Sequence, residues 1–308
     1  MISIIICSVS PENLNRTKKN IVDTIGVEHE IIAIDNREKH WPLAKAYNFG
    51  ANIAKYDYLL FVHEDVLFYT EGWGTIIIKK LSEPDCGVIG FAGSQIKTRA
   101  YSGWNTNMIR YEISNYRYLD ENSCERHYRK GQFEDGYGRV VDIDGLAMFV
   151  RRSVWRKYPF DEKILTGFHC YDIDFSLELA KHYKNYVCGI IDVLHLSNGS
   201  FDKMWIGSTV LLHEKKWNAF LPLSVIPLSD KELHQVERRA LYGFMRTTYK
   251  KGQTYGICTL FADKKYSFWG KFYITVKYIN SIRLYQWRKL KKFLNRMIHK
   301  YFNLSSAA

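Results

Sequence analysis

The chain has 308 residues, of which 46% are hydrophobic and 25% charged, so it can bury the core of one large domain with an appendage. Residues 251–308 hold twelve Lys and Arg residues against one acidic residue, Asp263, which places +11 of the net charge of +12 in this tail. We expect neither a signal peptide nor a transmembrane helix, because the start lacks a basic segment and no run of 18 apolar residues occurs.

The six cysteines form no C-x-x-C pair, and Cys7 lies in an apolar run, where a reduced, buried thiol is the ordinary state. This pattern fits a reducing compartment. We therefore expect a cytoplasmic protein, and the basic tail leaves open a peripheral attachment to the inner face of the cell membrane. Aromatic residues make up 15% of the chain, which is typical either of extra core packing or of stacking on sugar rings.

Strands and helices alternate along the first half of the chain. The predicted strands cover residues 2–7, 30–34, 58–62, 87–91, 140–150 and 186–196, and the predicted helices cover residues 11–24, 43–54, 73–81 and 172–182. Residues 101–139 have little periodicity, which predicts a long functional loop or a lid. After residue 201 the pattern becomes helical. This alternation predicts an α/β fold built from parallel βαβ units.

Polar side chains follow three of the predicted strands. Ser8, Asp35 and Asp65 each come just after a buried strand. Because ligands of such sheets bind outside the carboxyl ends of the strands, we expect these groups to share one edge of the sheet. The segment FVHEDV, which contains Asp65, adds acidic groups there that a divalent cation would bridge to a diphosphate, with Mg²⁺ or Mn²⁺ as the suited ions. A strand-end turn with solvated acids is the alternative.

The order of the segments IAIDN, KAYNFGANIA and FVHEDV resembles the family 2 glycosyltransferases of GT-A fold, in particular a bacterial branch with an H-x-D-V element. The resemblance implies a Rossmann-like nucleotide-diphospho-sugar transferase with a mixed, mainly parallel sheet flanked by helices. Residues 1–204 would form the catalytic domain, with a nucleotide-sugar half over 1–100 and an acceptor half over 101–204. Residues 205–308 would form a mainly helical basic extension.

The resemblance also implies roles for residues of the donor half. Asp65 takes the position of the last Asp of the family's Asp-x-Asp motif and would bind the metal. His63 replaces the first Asp, which leaves its role open, and Glu64 would face the sugar or solvent. The other residues placed near the nucleotide are Ser8, Asp35, Asn36, Lys45 and Asn48. Among them Asp35 would accept a hydrogen bond from the base, which suggests a UDP or dTDP donor, whereas a turn or capping role is its alternative.

The acceptor half carries the second cluster, DGLAMFVRRSVW followed by GFHCYDIDFSLEL. The resemblance implies that Asp172 is the general base and that Asp144 hydrogen-bonds the donor sugar. Asp174 lies about 200° around the helix from Asp172 and is interpreted as structural. Both could instead be first-turn acids that favour the helix dipole. His195 would be the second metal ligand, with a strand-end core histidine as its alternative.

The sequence thus predicts a metal-dependent, inverting glycosyltransferase that uses Mn²⁺ or Mg²⁺ and a nucleotide-sugar, with UDP-sugar favoured. The acceptor would be a saccharide or a lipid-linked saccharide of cell-surface polysaccharide synthesis. The segment WRKLKKFLNRMIHKYF reads as a basic amphipathic helix that could lie on an anionic membrane or pack on the catalytic domain. The rival interpretations are a non-catalytic carbohydrate-binding module and a nucleic-acid-binding protein. We do not expect nucleic acid as a partner, because no recognition motif accompanies the basic tail.

Overall fold

In a computed structural model of the protein, residues 1–197, 199 and 201–250 are described, as are residues 283 and 287. The strands are β1 (Ile2–Ser8), β2 (His29–Asp35), β3 (Tyr58–His63), β4 (Val66–Phe68), β5 (Cys86–Gly90), β6 (Ala92–Ser94), β7 (Ile96–Lys97), β8 (Glu112–Leu119), β9 (Glu125–Lys130), β10 (Tyr137–Val140), β11 (Asp142–Ile143), β12 (Ala147–Arg151), β13 (Lys184–Cys188), β14 (Val193–His195) and β15 (Leu223–Ser224). The α-helices are α1 (Pro11–Thr24), α2 (Leu43–Ile53), α3 (Trp73–Leu81), α4 (Arg152–Lys157), α5 (Tyr171–Ala180), α6 (Lys203–Leu212) and α7 (Asp230–Lys250). A 3₁₀ turn covers Ile109–Tyr111, and a π-helical turn covers His213–Trp217.

The larger sheet has seven strands in the order β10-β13-β5-β12-β3-β1-β2. Strand β1 pairs in parallel with β2 and β3, and β13 pairs in parallel with β5, whereas β12 and β10 pair antiparallel with their neighbours. The run of β-branched residues in β1 is buried on both faces of the sheet, as its apolar sequence requires. The predicted α/β class and a mixed sheet flanked by helices are confirmed.

Two apolar clusters cover the faces of this sheet, and alternate residues of β1 enter different clusters. Ile5 packs in the cluster that contains Leu43 of α2, and Ile4 packs in the one that contains Ile21 of α1 and Trp73 of α3. This alternation follows the two-residue period of a strand. The sheet is therefore held rigidly between helices, which fixes the position of the side chains at its carboxyl edge.

The second sheet has the order β11-β6-β8-β14-β4, and β9 extends it by pairing antiparallel with β8. Strands β8 and β9 of this sheet lie within residues 101–139, where a long functional loop or a lid was predicted. The prediction of a loop was wrong for these strands. Strands β8 and β9 form a hairpin in which aromatic and charged residues alternate, so neither strand shows the apolar alternation of a half-buried strand. The predicted single strands over 140–150 and 186–196 are also each divided by a turn.

Among residues 201–250 the chain is mainly helical, as predicted. Met1–Ala240 forms one compact unit, and a second unit begins at Leu241. The predicted division between residues 204 and 205 stays a prediction. The predicted membrane-binding segment lies outside the described residues except for position 287, which is helical. Within the part of the chain that is described, no helix has the length and hydropathy needed to cross a membrane.

Candidate active site

The carboxyl ends of β1, β2 and β3 lie side by side, as the sequence predicts. Ser8 is opposite Asp35 in the β1–β2 register, and Cys7 is opposite His63 in the β1–β3 register. Asp65 follows β3 directly and accepts a backbone hydrogen bond on its carbonyl from Leu196, just beyond β14. The sheet edge therefore brings residues from three separate regions of the sequence into one place.

Three side chains at this edge converge as a group that could hold a metal ion. One ligand atom from each of His63, Asp65 and His195 lies within 4.8 Å of the others. His195 Nε2 is 3.4 Å from Asp65 Oδ1 and 3.2 Å from Ser197 Oγ. Both Asp65 and His195 were predicted as metal ligands, and the structure places them together. It also adds His63, whose role the sequence left open.

Burial and mutual contact set the protonation of this metal-side cluster (His63, Asp65, His195). Burial, followed by the charge of His195, lowers the pKa of His63 to about 4, which keeps this imidazole neutral. Burial acts against the charged forms of Asp65 and His195 as well, but their hydrogen bond outweighs it. The pKa of Asp65 is consequently lowered and that of His195 raised. The Asp65 carboxylate and the neutral imidazole of His63 are thus in the states that bind cations, whereas His195 would release its proton when a cation binds.

A chain of hydrogen bonds connects His63 to the predicted base. The Tyr171 hydroxyl donates to the Gly145 carbonyl at 3.0 Å and lies 2.8 Å from His63 Nε2. Because a phenol has a single proton and the carbonyl can only accept it, the network assigns His63 Nε2 as the donor to Tyr171. His63 Nδ1 then carries the lone pair, which is the state that a metal-ligating imidazole needs.

Asp172 lies on the other side of the same glycine. Its Oδ2 accepts from the Gly145 N–H at 3.0 Å, and Asp144 Oδ1 accepts from Leu146 N–H at 3.0 Å. Burial and the nearby charge of Asp144 raise the pKa of Asp172 to about 7, although the backbone N–H groups at the start of α5 act against the shift. A carboxyl group with a pKa near neutrality is suited to accept a proton from a substrate hydroxyl.

Asp174 is engaged elsewhere. Its Oδ1 accepts from Trp217 Nε1 at 2.8 Å, and its Oδ2 accepts from Lys216 Nζ at 2.9 Å. These contacts tie α5 to the π-helical turn. The geometry therefore gives Asp174 a structural contact and leaves Asp172 next to Asp144.

On the side of the sheet edge that the sequence predicts to bind the nucleotide, here called the nucleotide side, Glu64 holds the loop between β1 and α1. Its carboxylate accepts from the Ser8 hydroxyl, from Ser10 N–H at 2.9 Å and from Val9 N–H at 3.2 Å. Thr17 Oγ1 donates to its carbonyl at 2.6 Å. Ser8 and Glu64 were both predicted to border the nucleotide, and they are joined here as one unit that shapes the loop.

Asp35 is the last residue of β2, and Asn36 follows it on the same side. The Asp35 carboxylate is 57% exposed and pairs with Arg37, whose hydrogen bonds and charge lower the pKa of Asp35 to about 2. Asn36 closes the next turn, since its amide donates to the Trp41 carbonyl at 3.0 Å and accepts from Trp41 N–H at 2.8 Å. The Asp35 carboxylate is thus solvent-accessible, whereas the Asn36 amide is occupied.

Lys45 and Asn48, both on α2, have different surroundings. The exposed Lys45 places Nζ 4.7 Å from the centre of the Trp41 ring, near the Asn36 turn. Asn48 is buried, and its amide bonds to Phe160, Glu162 and Trp155. The structure thus keeps Lys45 accessible at the nucleotide side and gives the Asn48 amide only protein partners.

Residues 3–216 match the model of the family described as "Glycosyltransferase like family". The chain belongs to this glycosyltransferase-like family. The match includes all the predicted site residues, from Ser8 to His195. The predicted family resemblance and the predicted enzyme class are confirmed, and no curated protein matches the chain.

Two solved structures are distantly similar to this glycosyltransferase. A structure of GalNAc-T7 with UDP, GalNAc and Mn²⁺ has a TM-score of 0.46 and 11% identity, and the match covers 69% of this chain and 47% of that one. The A197 protein from STIV has a TM-score of 0.36 and 16% identity, with coverage of 64% and 86%. The chain thus spans about half of the GalNAc-T7 chain.

A buried ion pair that no sequence pattern indicated lies close to the candidate site. Lys97 is fully buried, its Nζ donates to the carbonyls of Ser102 and Gly103 at 2.7 Å, and it lies 3.7 Å from Asp142 Oδ2. Burial lowers the pKa of Lys97 and raises that of Asp142 to about 7. The pair fixes the start of the segment after β7 against β11, the strand that leads to Asp144.

Proposed function

We propose that the protein is a metal-dependent, inverting glycosyltransferase that moves a sugar from a UDP- or dTDP-linked donor to a hydroxyl of a saccharide acceptor. The observation that carries this proposal is the hydrogen-bonded chain His63–Tyr171–Gly145–Asp172. It connects a cation-binding cluster to a carboxyl group with the pKa of a general base. A transfer with inversion requires both, a group that favours departure of the diphosphate and a base for the attacking hydroxyl.

The residues of the metal-side cluster fit a divalent cation. Two imidazoles and one carboxylate suit Mn²⁺ better than Mg²⁺, which prefers oxygen ligands and retains its water. When bound, the cation would supply positive charge for the departing nucleoside diphosphate. His63 would contribute Nδ1, because its Nε2–H is committed to Tyr171.

Asp172 would accept the proton of the attacking acceptor hydroxyl. The Gly145 N–H orients its carboxylate, and the negative charge of Asp144 favours the protonated product of this step. Asp144 would also lie next to the donor sugar. On the nucleotide side, the exposed carboxylate of Asp35 would accept from the base N–H, and Lys45 would lie near the phosphates.

A lipid-linked acceptor, cell-surface polysaccharide synthesis and a cytoplasmic, membrane-associated location remain part of the proposal. The membrane association and the lipid-linked acceptor rest on the composition of the basic tail, the cytoplasmic location on the cysteine pattern, and polysaccharide synthesis on the family resemblance. Sedimentation of the full chain with anionic vesicles of phosphatidylglycerol, compared with neutral vesicles, tests the membrane contact.

The central test measures UDP release from UDP-glucose, UDP-galactose and UDP-N-acetylglucosamine with and without Mn²⁺. We expect at least one donor to give Mn²⁺-dependent release that a chelator abolishes. We also expect UDP with Mn²⁺ to raise the melting temperature in proportion to ligand concentration. Absence of both effects for uridine and thymidine nucleotides would overturn the proposal.

A further inference from the structure

The face of the second sheet that carries His195 also carries a group of tyrosines. In the β8–β14 register His195 is opposite Tyr118, and in the β8–β9 register Tyr116 is opposite Tyr128. Paired residues of a sheet point to the same face, as do residues two apart on one strand. Tyr116, Tyr118 and Tyr128, here called the tyrosine platform, therefore extend from the metal-side cluster along one face.

The three rings lie close together and are held in place. The ring centre of Tyr116 is 5.7 Å from that of Tyr128 and 6.3 Å from that of Tyr118. The Tyr128 hydroxyl donates to the Glu112 carboxylate at 2.9 Å, and Tyr116 packs in part against the core cluster of α1 and α3. All three side chains are half-buried, so each is partly packed and still presents surface to solvent.

Electrostatics connects the platform with the catalytic groups independently of the strand register. Burial and then the negative charge of Asp144 raise the pKa of Tyr116, and the same Asp144 charge acts on Asp172, His63 and His195. Asp144 is therefore close to both groups. The platform begins where the reacting hydroxyl of an acceptor would lie in the proposed transfer.

We propose that the tyrosine platform binds the saccharide chain of the acceptor, with the reacting end at Asp172. This proposal rests on the proposed function and names the acceptor as a neutral saccharide of more than one ring. Flat aromatic rings with polar edges match the alternating apolar and hydroxyl-bearing surfaces of pyranoses. The half-buried Asp144 carboxylate acts electrostatically on Tyr116, which favours hydroxyl groups and disfavours an anionic glycan at that end of the platform. The Glu112 carboxylate is buried and occupied by the Tyr128 hydroxyl, so its part is to hold the ring.

The hairpin also offers a matched control residue. Tyr69 is 44% exposed, and its hydroxyl donates to Glu125 of β9 at 2.9 Å. It contacts Arg117, which alternates with Tyr116 and Tyr118 and so points to the opposite face of β8. Loss of Tyr69 would weaken the anchoring of the hairpin without removing a platform ring.

The experiment measures saturation-transfer NMR signals of lactose, maltose, cellobiose and N,N′-diacetylchitobiose with the full chain in the absence of donor and metal. We expect at least one disaccharide to bind to the wild type. Tyr118→Ala and Tyr128→Ala should each weaken this binding by about fivefold or more, whereas Tyr118→Phe and Tyr69→Ala should retain it. Melting temperatures verify that each variant is folded.

Two results would overturn the platform: no disaccharide binds to the wild type, or Tyr69→Ala weakens binding as much as Tyr118→Ala does. UDP and Mn²⁺ binding, measured on the same variants, separates this proposal from the proposed function. Saccharide binding that depends on the tyrosines supports the platform even if UDP does not bind, in which case only the transfer fails.

Discussion

The two sides of the site are built differently. The metal-side cluster is nearly enclosed: the Asp65 and His195 side chains are only 13% and 11% exposed, and each one alters the protonation of the other. On the nucleotide side, Asp35 is exposed and paired with Arg37, and Glu64 holds the loop after β1. The enclosed side is therefore organised before any ligand arrives, whereas Asp35 must exchange a protein partner for a ligand.

This difference predicts how strongly substitutions act. A change on the metal side removes an interaction in a site of low dielectric, where charges interact strongly. A change on the nucleotide side alters contacts that water competes with and salt screens. We therefore expect larger effects from substitutions on the metal side than from those on the nucleotide side.

The largest effect is expected for Asp65→Asn. This variant loses the charged ligand and the partner that raises the pKa of His195, so Mn²⁺-dependent UDP release should fall by at least about a hundredfold. The stabilisation of the protein by Mn²⁺, measured by thermal shift, should disappear as well. Asp35→Asn is the control and should retain the Mn²⁺ shift. Equal losses in both variants would contradict the contrast between the two sides.

The next effect concerns Asp172 and its neighbour Asp174. Asp172→Asn should lower kcat by about 10²–10⁴-fold while UDP and Mn²⁺ still bind, since the amide oxygen can keep the contact with Gly145. Asp174→Asn should instead lower the melting temperature, because Lys216 and Trp217 lose a charged acceptor. Near-wild-type transfer by Asp172→Asn would show that another group is the base.

The pH profile sharpens the same prediction. The base must be unprotonated, and its pKa is raised to about 7, so kcat/KM should rise with pH to a plateau, with the inflection at or below about pH 7 because a bound cation would lower it. Asp144→Asn removes the neighbouring negative charge and should move the inflection to lower pH. An inflection that stays in place in Asp144→Asn would exclude Asp172 as the titrating base.

A moderate effect is expected for Glu64→Gln. The substitution replaces an ionised acceptor of the Val9 and Ser10 N–H groups, which loosens the loop that borders the nucleotide. The Kd for UDP, measured by calorimetry, should increase about fivefold, with the Mn²⁺ shift retained. Glu12→Gln, an exposed change in the first turn of α1, is the control and should leave the Kd unchanged.

The smallest effect is expected for Arg37→Ala. Loss of the guanidinium frees the Asp35 carboxylate and raises its pKa towards the ordinary range, so UDP should bind about twofold more tightly at neutral pH. The gain should disappear as the pH falls through the new, higher pKa of Asp35. Lys39→Ala controls for the loss of a nearby positive charge. Weaker UDP binding in Arg37→Ala alone would assign Arg37, and not Asp35, to the nucleotide.

The sequence predicted the sheet edge well because a continuous run of five or six apolar, β-branched residues is enough to identify a buried strand and its end. The polar groups after β1, β2 and β3 were therefore placed correctly at one edge. The β8–β9 hairpin was missed because its tyrosines and arginines alternate with polar residues on both faces. The residue pattern along β8 and β9 does not show that the second sheet buries one of their two faces incompletely.

Contacts between distant residues were beyond the reach of sequence patterns. No sequence pattern indicates that His63 contacts Tyr171 or that Lys97 pairs with Asp142. Each contact is made by the packing of separate elements. Asn48 is a related case: its position on α2 suggested the nucleotide, and its hydrogen bonds go to the segment after α4. The spacing of residues predicts which helices and strands lie next to one another, but the packing of these elements decides which side chains are in contact.

Gly145 has a consequence for how the enzyme protects its donor. A methyl group at this position would clash with the Tyr171 hydroxyl and lie 3.1 Å from the Asp172 Cβ, so only glycine fits without displacement of its neighbours. Its N–H holds Asp172, and its carbonyl holds the tyrosine that orients His63. In the proposed transfer, a local opening of the backbone there would displace the general base and a metal ligand together. A molecule that is locally unfolded at Gly145 would therefore be inactive and would not hydrolyse the nucleotide-sugar donor.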